Sequence, residues 1–279
     1  MTTAFRPAPG IPAGRFAPLV PPGVYAPQED TFLLAEALSR EQFAAGAEVL
    51  DVGTGSGALA IRAARRGARV TAVDIGRRAV LTARLNALCA GQRIAVHRGD
   101  LFGPVLGRSF DLVLCNPPYV PTPPPGAAER RVVSAPPEPG AGTAAGAQSG
   151  ADRDGDPRRG VGPGGTRRGG EWPADRPRGA GRTFEGGTDG RTVLDAICAG
   201  AAGVLRPHGA LLLVQSGLCG VEDTLHRLAL GGLRGTVCDR RRIPFGPVLR
   251  ARLPWLRARG LLTVRDEDEE LVVIRAERI

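Results

Sequence analysis

The stretch Val49-Leu50-Asp51-Val52-Gly53-Thr54-Gly55-Ser56-Gly57-Ala58-Leu59 constrains this chain more than any other. An apolar run ends in a carboxylate, passes through alternate glycines and gives way to a helical apolar pattern over 58–66. The reading is strand, tight turn, helix. Glycine reaches backbone angles closed to other residues and lets a ligand approach the main chain. Alone the stretch is ambiguous, because Gly53, Gly55 and Ala58 also fit the G-x-G-x-x-A form of a dinucleotide site.

The same alternation continues along the chain. Asp74 closes the apolar run Val70–Val73, a third strand ends near Val96, and Phe110–Cys115 is a fourth. Helical patterns separate them over 58–66 and 77–88. Strands alternating with helices imply a parallel sheet with right-handed crossovers. Upstream, Pro27, Glu29 and Asp30 signal a helix start, with Leu33, Leu34, Ala37 and Leu38 as its apolar face and the two acids at the surface. Downstream, the pattern predicts a helix over 192–205, a turn at Pro207-His208-Gly209 and a buried strand over 210–215. A helix over 222–230, a strand over 235–239, a loop over 240–247 and a basic helix over 248–259 follow. An acidic turn at 266–270 precedes a last strand, Leu271–Arg275. A hairpin between the last two strands puts one antiparallel strand on the sheet. The expected fold is α/β: a mostly parallel seven-stranded sheet with one antiparallel strand and helices on both faces.

Two stretches depart from this texture. Residues 1–23 are rich in Pro, Ala and Gly and read as an N-terminal arm. Over about 123–182 apolar periodicity disappears, and such a composition cannot bury enough surface to offset its ordering entropy. It reads as a low-complexity, disordered insertion in a single domain spanning 24–279. Its arginine pairs suit RNA; the interspersed acids Asp152, Asp154 and Asp156 suit a passive loop or a local sequence artefact. All 37 basic residues are arginine, and the net charge of +9 favours an acidic partner such as RNA or a ribosome, or else a solvated surface. The five cysteines lack a C-x-x-C pair, which argues against a zinc site or disulfide scaffold and for a reducing, cytoplasmic setting. His97, His208 and His226 form no ligand cluster. No apolar run reaches the roughly 18 residues of a membrane span.

Asp51 beside the glycines suits a cationic ligand, since a carboxylate holds an ammonium directly or through water and repels a phosphate. Asp74 lies where a strand-end acid accepts from ribose hydroxyls. Asp100 is placed to accept from an adenine amino group, with Leu101 offering its amide. Singly, Asp74 also fits a helix N-cap and Asp100 a turn. Together, acids at three successive strand ends point to a nucleoside site.

Asn116-Pro117-Pro118-Tyr119 closes the fourth strand. Two prolines fix the backbone and free it from ladder bonding. The Asn116 side-chain carbonyl and the Pro117 main-chain carbonyl then accept both protons of one planar NH2 group. Tyr119 offers a ring for stacking on an amide or a base.

On these motifs the chain resembles a class I S-adenosylmethionine-dependent methyltransferase with a Rossmann-like sheet. Within that group it is similar to the HemK-type enzymes that methylate the Gly-Gly-Gln glutamine of peptide release factors. Tyr25-Ala26-Pro27-Gln28-Glu29-Asp30-Thr31-Phe32-Leu33-Leu34 is similar to the start of the shorter, eukaryote- and archaea-type branch. The separate N-terminal helical domain of the longer bacterial enzymes is therefore not expected. The resemblance covers about 20–122 and 183–279; the insertion has no counterpart in it. It implies S-adenosylmethionine contacts from Thr31, Asp51, Gly53, Asp74, Asp100 and Leu101, with Gly55 in the same loop. It implies that Asn116, Pro117, Pro118 and Tyr119 hold the acceptor, and it raises the prospect of a small activating subunit. Two other functions fit the residues: methylation of an adenine or guanine amino group in rRNA or DNA, with the base flipped onto Tyr119, and a non-catalytic RNA-binding module.

Overall fold

The computed structural model describes residues 17–124 and 186–279, so most of the expected arm and of the expected insertion lie outside the described residues. The elements are α1 (Glu29–Arg40), β1 (Glu48–Val52), α2 (Ala58–Arg65), β2 (Arg69–Asp74), α3 (Arg77–Cys89), β3 (Ile94–Arg98) and β4 (Phe110–Cys115). Then come α4 (Thr192–Gly200), β5 (Leu205–Ser216), α5 (Val221–Leu230), β6 (Leu233–Pro244), α6 (Pro247–Ala258) and β7 (Asp268–Arg278). No helix among the described residues is long and apolar enough to cross a membrane.

The sheet order is β3-β2-β1-β4-β5-β7-β6. β1 to β5 pair in parallel, and β7 runs antiparallel to both of its neighbours. The central strands are apolar along their length because helices cover both faces of such a sheet. Val49, Leu50, Val113, Leu114, Leu211 and Leu212 are among the residues removed from water. Phe102, Phe110, Leu33, Leu34 and Leu38 are the largest side chains packed against them. A second, smaller cluster gathers Phe245, Leu249, Leu256 and Leu262 around α6.

Three local expectations change. The stretch over 240–247, read as a loop, continues β6 as far as Pro244. Its arginines do not oppose a strand, because they alternate on a sheet edge and find acids: Arg240 meets Glu270 at 2.8 Å and Arg241 meets Glu36 at 2.6 Å. The acidic stretch over 266–270, read as a turn, already starts β7 at Asp268, opposite Pro244. The turn at Pro207-His208-Gly209 is absorbed into β5 as an irregularity where its register against β4 shifts. There the backbone passes so close that a β-carbon on Gly209 would lie 2.9 Å from the Phe110 carbonyl.

The glycine loop also joins two helices. Gly57, the residue before α2, has φ of +84°, and a β-carbon there would meet the Cα and Cβ of Ala83 in α3 at 3.2 Å. Gly46 has nearly the same φ, +83°, with nothing within 4 Å of such a β-carbon. Gly46→Ala should cost about 1 kcal/mol through backbone strain alone, and Gly57→Ala about 2–3 kcal/mol because α3 must also move. Urea unfolding of the two variants checks this; equal losses would contradict the close α2–α3 packing.

Candidate active site

In the order β3-β2-β1-β4, neighbouring strands carry Asp100 and Leu101, Asp74, the Gly53–Gly57 loop and Asn116 at their carboxyl ends. Connections leave β1 and β4 in opposite directions along the sheet, and open α/β sheets bind ligands at such a switch point. The backbones there are close: a β-carbon on Gly53 would lie 3.8 Å from the Asn116 carbonyl.

Four amides of the glycine loop are already bonded, three of them to the end of β2. Gly53 and Thr54 both donate to the Val73 carbonyl, at 2.9 and 3.1 Å. Gly57 donates to the Thr54 carbonyl at 2.8 Å, and Gly55 to Asp74 Oδ2 at 2.9 Å. A phosphate needs such amides free, so the dinucleotide alternative loses its support. What the loop offers instead is carboxylate. Asp74 also accepts from Gly76, at 2.8 Å, just before α3, so it serves the local turn as well as facing the crevice. Each of its oxygens accepts one amide and retains a second acceptor position, as bonding to ribose hydroxyls requires. Burial raises its pKa, and the two amides oppose that shift.

Asp51, expected to face an ammonium, is turned inward at 1% exposure. Its Oδ2 accepts from the Thr54 hydroxyl at 2.6 Å and from the Ala60 amide in the first turn of α2 at 3.1 Å. Burial lifts its pKa to about 6 against these bonds. Its structural work is to hold loop to helix, and any attraction for a cation acts from behind the loop. Asp100 is exposed, and its carbonyl accepts from Gly103 at 2.9 Å. Leu101 has φ of +45°, unusual for a non-glycine residue.

On the other side of Gly53, a hydrogen-bond chain sets Asn116. Its Nδ2 donates to Thr31 Oγ1 at 3.3 Å, and the Thr31 hydroxyl donates to Asp30 Oδ1 at 3.1 Å. With the Asn116 amino group engaged, its carbonyl oxygen is left to accept. Thr31, carried over as a cofactor contact, thus has its hydroxyl committed to Asn116, Asp30 and the Gln28 amide. Asp30, read as a surface acid, is 4% exposed. Its Oδ2 accepts from the Tyr25 hydroxyl at 2.5 Å and the Tyr119 hydroxyl at 3.0 Å. Tyr119, expected to present an open ring, is packed into the main core at 7% exposure. Burial and the neighbouring Asp30 keep both phenols protonated well beyond the usual tyrosine range. Pro117 is buried and Pro118 partly so.

Glu269 completes this region from β7. It is 6% exposed, and its Oε1 has no hydrogen-bond partner. The sequence gives Tyr25 and Glu269 no site role, and Asp30 only that of a helix-start acid. A signal existed for Asp30: it stands four and seven residues before Leu34 and Ala37, on the apolar face of α1. Among the described residues no cluster of His, Cys, Asp and Glu could hold a metal ion.

The methyltransferase small domain family model matches residues 20–129. A putative protein N5-glutamine methyltransferase of Methanocaldococcus jannaschii is 28% identical over 225 residues, covering 80% of this chain and 88% of that protein. The release factor glutamine methyltransferase of Geobacter sulfurreducens is 40% identical over 107 residues, 37% of each chain. The ribosomal protein uL3 glutamine methyltransferase of Bradyrhizobium diazoefficiens is 49% identical over 76 residues, 26% of this chain and 24% of that one. The matches to these two bacterial enzymes therefore span well under two thirds of their length. Among solved structures, the E. cuniculi Mtq2–Trm112 complex gives a TM-score of 0.53 at 21% identity, covering 92% of this chain and 99% of that one, a likeness of fold. These findings bear out the methyltransferase resemblance read from the sequence.

Glu269 makes a pH prediction. Burial, reinforced by Asp30 and opposed by Ser216, raises its pKa from 4.5 to about 7. The folded protein holds this proton more tightly, so the stabilisation is present below pH 4.5 and is lost as pH rises to about 7. Glu269→Gln should be more stable than wild type by about 1–3 kcal/mol at pH 8 and nearly equal to it at pH 4.5. Chemical unfolding at both pH values checks this; a difference independent of pH would contradict a buried, raised carboxyl.

Proposed function

We propose that this methyltransferase uses S-adenosylmethionine to methylate the side-chain amide nitrogen of a protein glutamine, that of the Gly-Gly-Gln motif of a peptide release factor. The observation that carries this reading is the orientation of Asn116. Its amino group is bonded to Thr31, which leaves its carbonyl oxygen to accept; in the proposed complex that oxygen and the Pro117 carbonyl take the two protons of one NH2 group. Accepting both protons turns the nitrogen lone pair toward the methyl donor and helps charge develop there. An amide nitrogen is a poor nucleophile, so fixed geometry is the main contribution these residues make.

The acid-lined crevice, with its loop amides internally bonded, fits a cationic nucleoside without phosphate. Asp74 would hold the ribose, Asp100 and Leu101 the adenine edge, and the Gly53–Gly55 backbone the amino-acid part, with Asp51 beneath. S-adenosylmethionine supplies the activated methyl group when bound. The relatives' glutamine specificity supports the acceptor assignment. Tyr119 supports it too, because a ring packed in the core with its hydroxyl on Asp30 has little open face on which to stack a flipped base.

We extend the reading to organisation and partners. Residues 24–279 act as one methyltransferase domain interrupted at about 123–182. The Mtq2 neighbour, which with Trm112 forms a complex responsible for methylation of the eRF1 translation termination factor, is the ground for proposing a small activating subunit here by analogy. The net charge of +9 suits approach to an acidic partner such as a ribosome-bound factor.

Mass spectrometry of release factor and of rRNA after incubation with isotope-labelled S-adenosylmethionine separates the acceptors. The label is expected on the Gly-Gly-Gln glutamine; label on rRNA alone would replace this reading with base methylation. Asn116→Ala should lower turnover on the order of 10²-fold with little change in cofactor affinity. Asn116→Asp should bind the cofactor at least as well as wild type, through the added charge, yet turn over more slowly. Wild-type turnover in either variant would remove Asn116 from the proposed role.

A further inference from the structure

We infer that Arg252, carried on the helix between the last two strands, is a positioning residue that fixes the acceptor loop. The inference rests on the proposed acceptor role of Asn116 and Pro117. After β4 the chain carries prolines at 117, 118, 121, 123 and 124. Proline has no amide proton, so this stretch cannot be held by a strand ladder, and its carbonyls need donors from elsewhere. Distant residues supply them. The Cys219 thiol donates to the Tyr119 carbonyl at 2.9 Å. Arg252 Nη1 donates to the Val120 carbonyl at 3.2 Å and the Pro121 carbonyl at 3.0 Å. In the other direction, the loop's own Thr122 amide donates to the Gly187 carbonyl at 2.8 Å.

The helix that bears Arg252 is itself anchored to this loop. Leu249 and Leu256 of α6 pack with Phe245 and Leu262, and Val120 and Leu218 lie against that cluster. Val120 is thus gripped twice, by its side chain in the α6 cluster and by its carbonyl on Arg252. One guanidinium nitrogen bridging two consecutive carbonyls sets their direction, and through them the run of backbone back to Pro117. The acids and the glycine loop proposed to hold the cofactor lie at the ends of β1, β2 and β3, whereas the clamp holds the exit of β4, so its loss is expected to act on the acceptor and not on cofactor binding.

Arg252→Ala is expected to lower kcat for a Gly-Gly-Gln substrate about 10- to 100-fold while leaving S-adenosylmethionine affinity unchanged, since a misplacement of about 1 Å costs on that order. Free guanidinium, added far below denaturing concentration, should restore part of the rate, and hydrogen exchange over residues 119–122 should quicken. A structural defect is not repaired by guanidinium, so the rescue separates positioning from stability. Wild-type turnover in Arg252→Ala would overturn the inference. So would a joint loss of turnover, cofactor affinity and melting temperature that guanidinium fails to restore. If wild type itself does not methylate the Gly-Gly-Gln substrate, the acceptor reading fails instead. The clamp is then judged on hydrogen exchange alone, where unchanged protection over 119–122 overturns it.

Discussion

The site depends on one buried carboxylate. Asp30 lies in the first turn of α1, out of water, and accepts from Tyr25, from Tyr119 and from the hydroxyl of Thr31. Burying a carboxylate is costly unless hydrogen bonds replace its water. Here those bonds come from the segment before α1, from α1 itself and from the exit of β4. The same bonds that make the burial tolerable tie the N-terminal helix to the residues expected to hold the acceptor. Thr31 then passes the constraint to Asn116, whose amino group donates to the Thr31 hydroxyl while that hydroxyl donates to Asp30.

On the cofactor side the logic is the reverse. The glycine loop gives its amides to the Val73 carbonyl, to Asp74 and to its own Thr54 carbonyl, so it presents carboxylates where a phosphate-binding loop presents N–H groups. Burial raises the pKa of both Asp51 and Asp74, and repulsion from Asp74 adds to the shift at Asp51. A cation with hydroxyl groups relieves both. The halves proposed to hold the acceptor and the cofactor meet at Gly53, where the absence of a side chain lets β1 and β4 carry their loops close together.

Much of this was legible in the sequence because it is local. A buried parallel strand ends in a polar residue, and the apolar runs ending at Asp51, Asp74 and Asn116 gave the strand ends by position. The antiparallel β7 followed from two final apolar runs joined as a hairpin. What was not legible depends on partners far along the chain. Asp30 looked like a helix-start acid, and its burial is created by Tyr119, 89 residues away. Glu269 was hidden in an acidic run in which Glu267 and Asp268 are exposed, Asp266 is bonded to Thr263 and Glu270 to Arg240. The arginines of β6 suggested a loop until Glu36 and Glu270 were seen to receive them. Tyr119 was assigned by residue type, whereas its ring is committed to the core and its hydroxyl to Asp30.

The proposed site rests on Asn116 being held by Thr31 with its carbonyl oxygen toward the acceptor, beside a cofactor lying over Gly53 and Asp74. A crystal structure with S-adenosylhomocysteine and a Gly-Gly-Gln peptide tests this. The ribose hydroxyls are expected on Asp74, the glutamine NH2 group shared by Asn116 Oδ1 and the Pro117 carbonyl, and the Asn116–Thr31–Asp30 chain intact. A glutamine amide bound away from Asn116, or an Asn116 released from Thr31 with its amino group facing the acceptor, would contradict it.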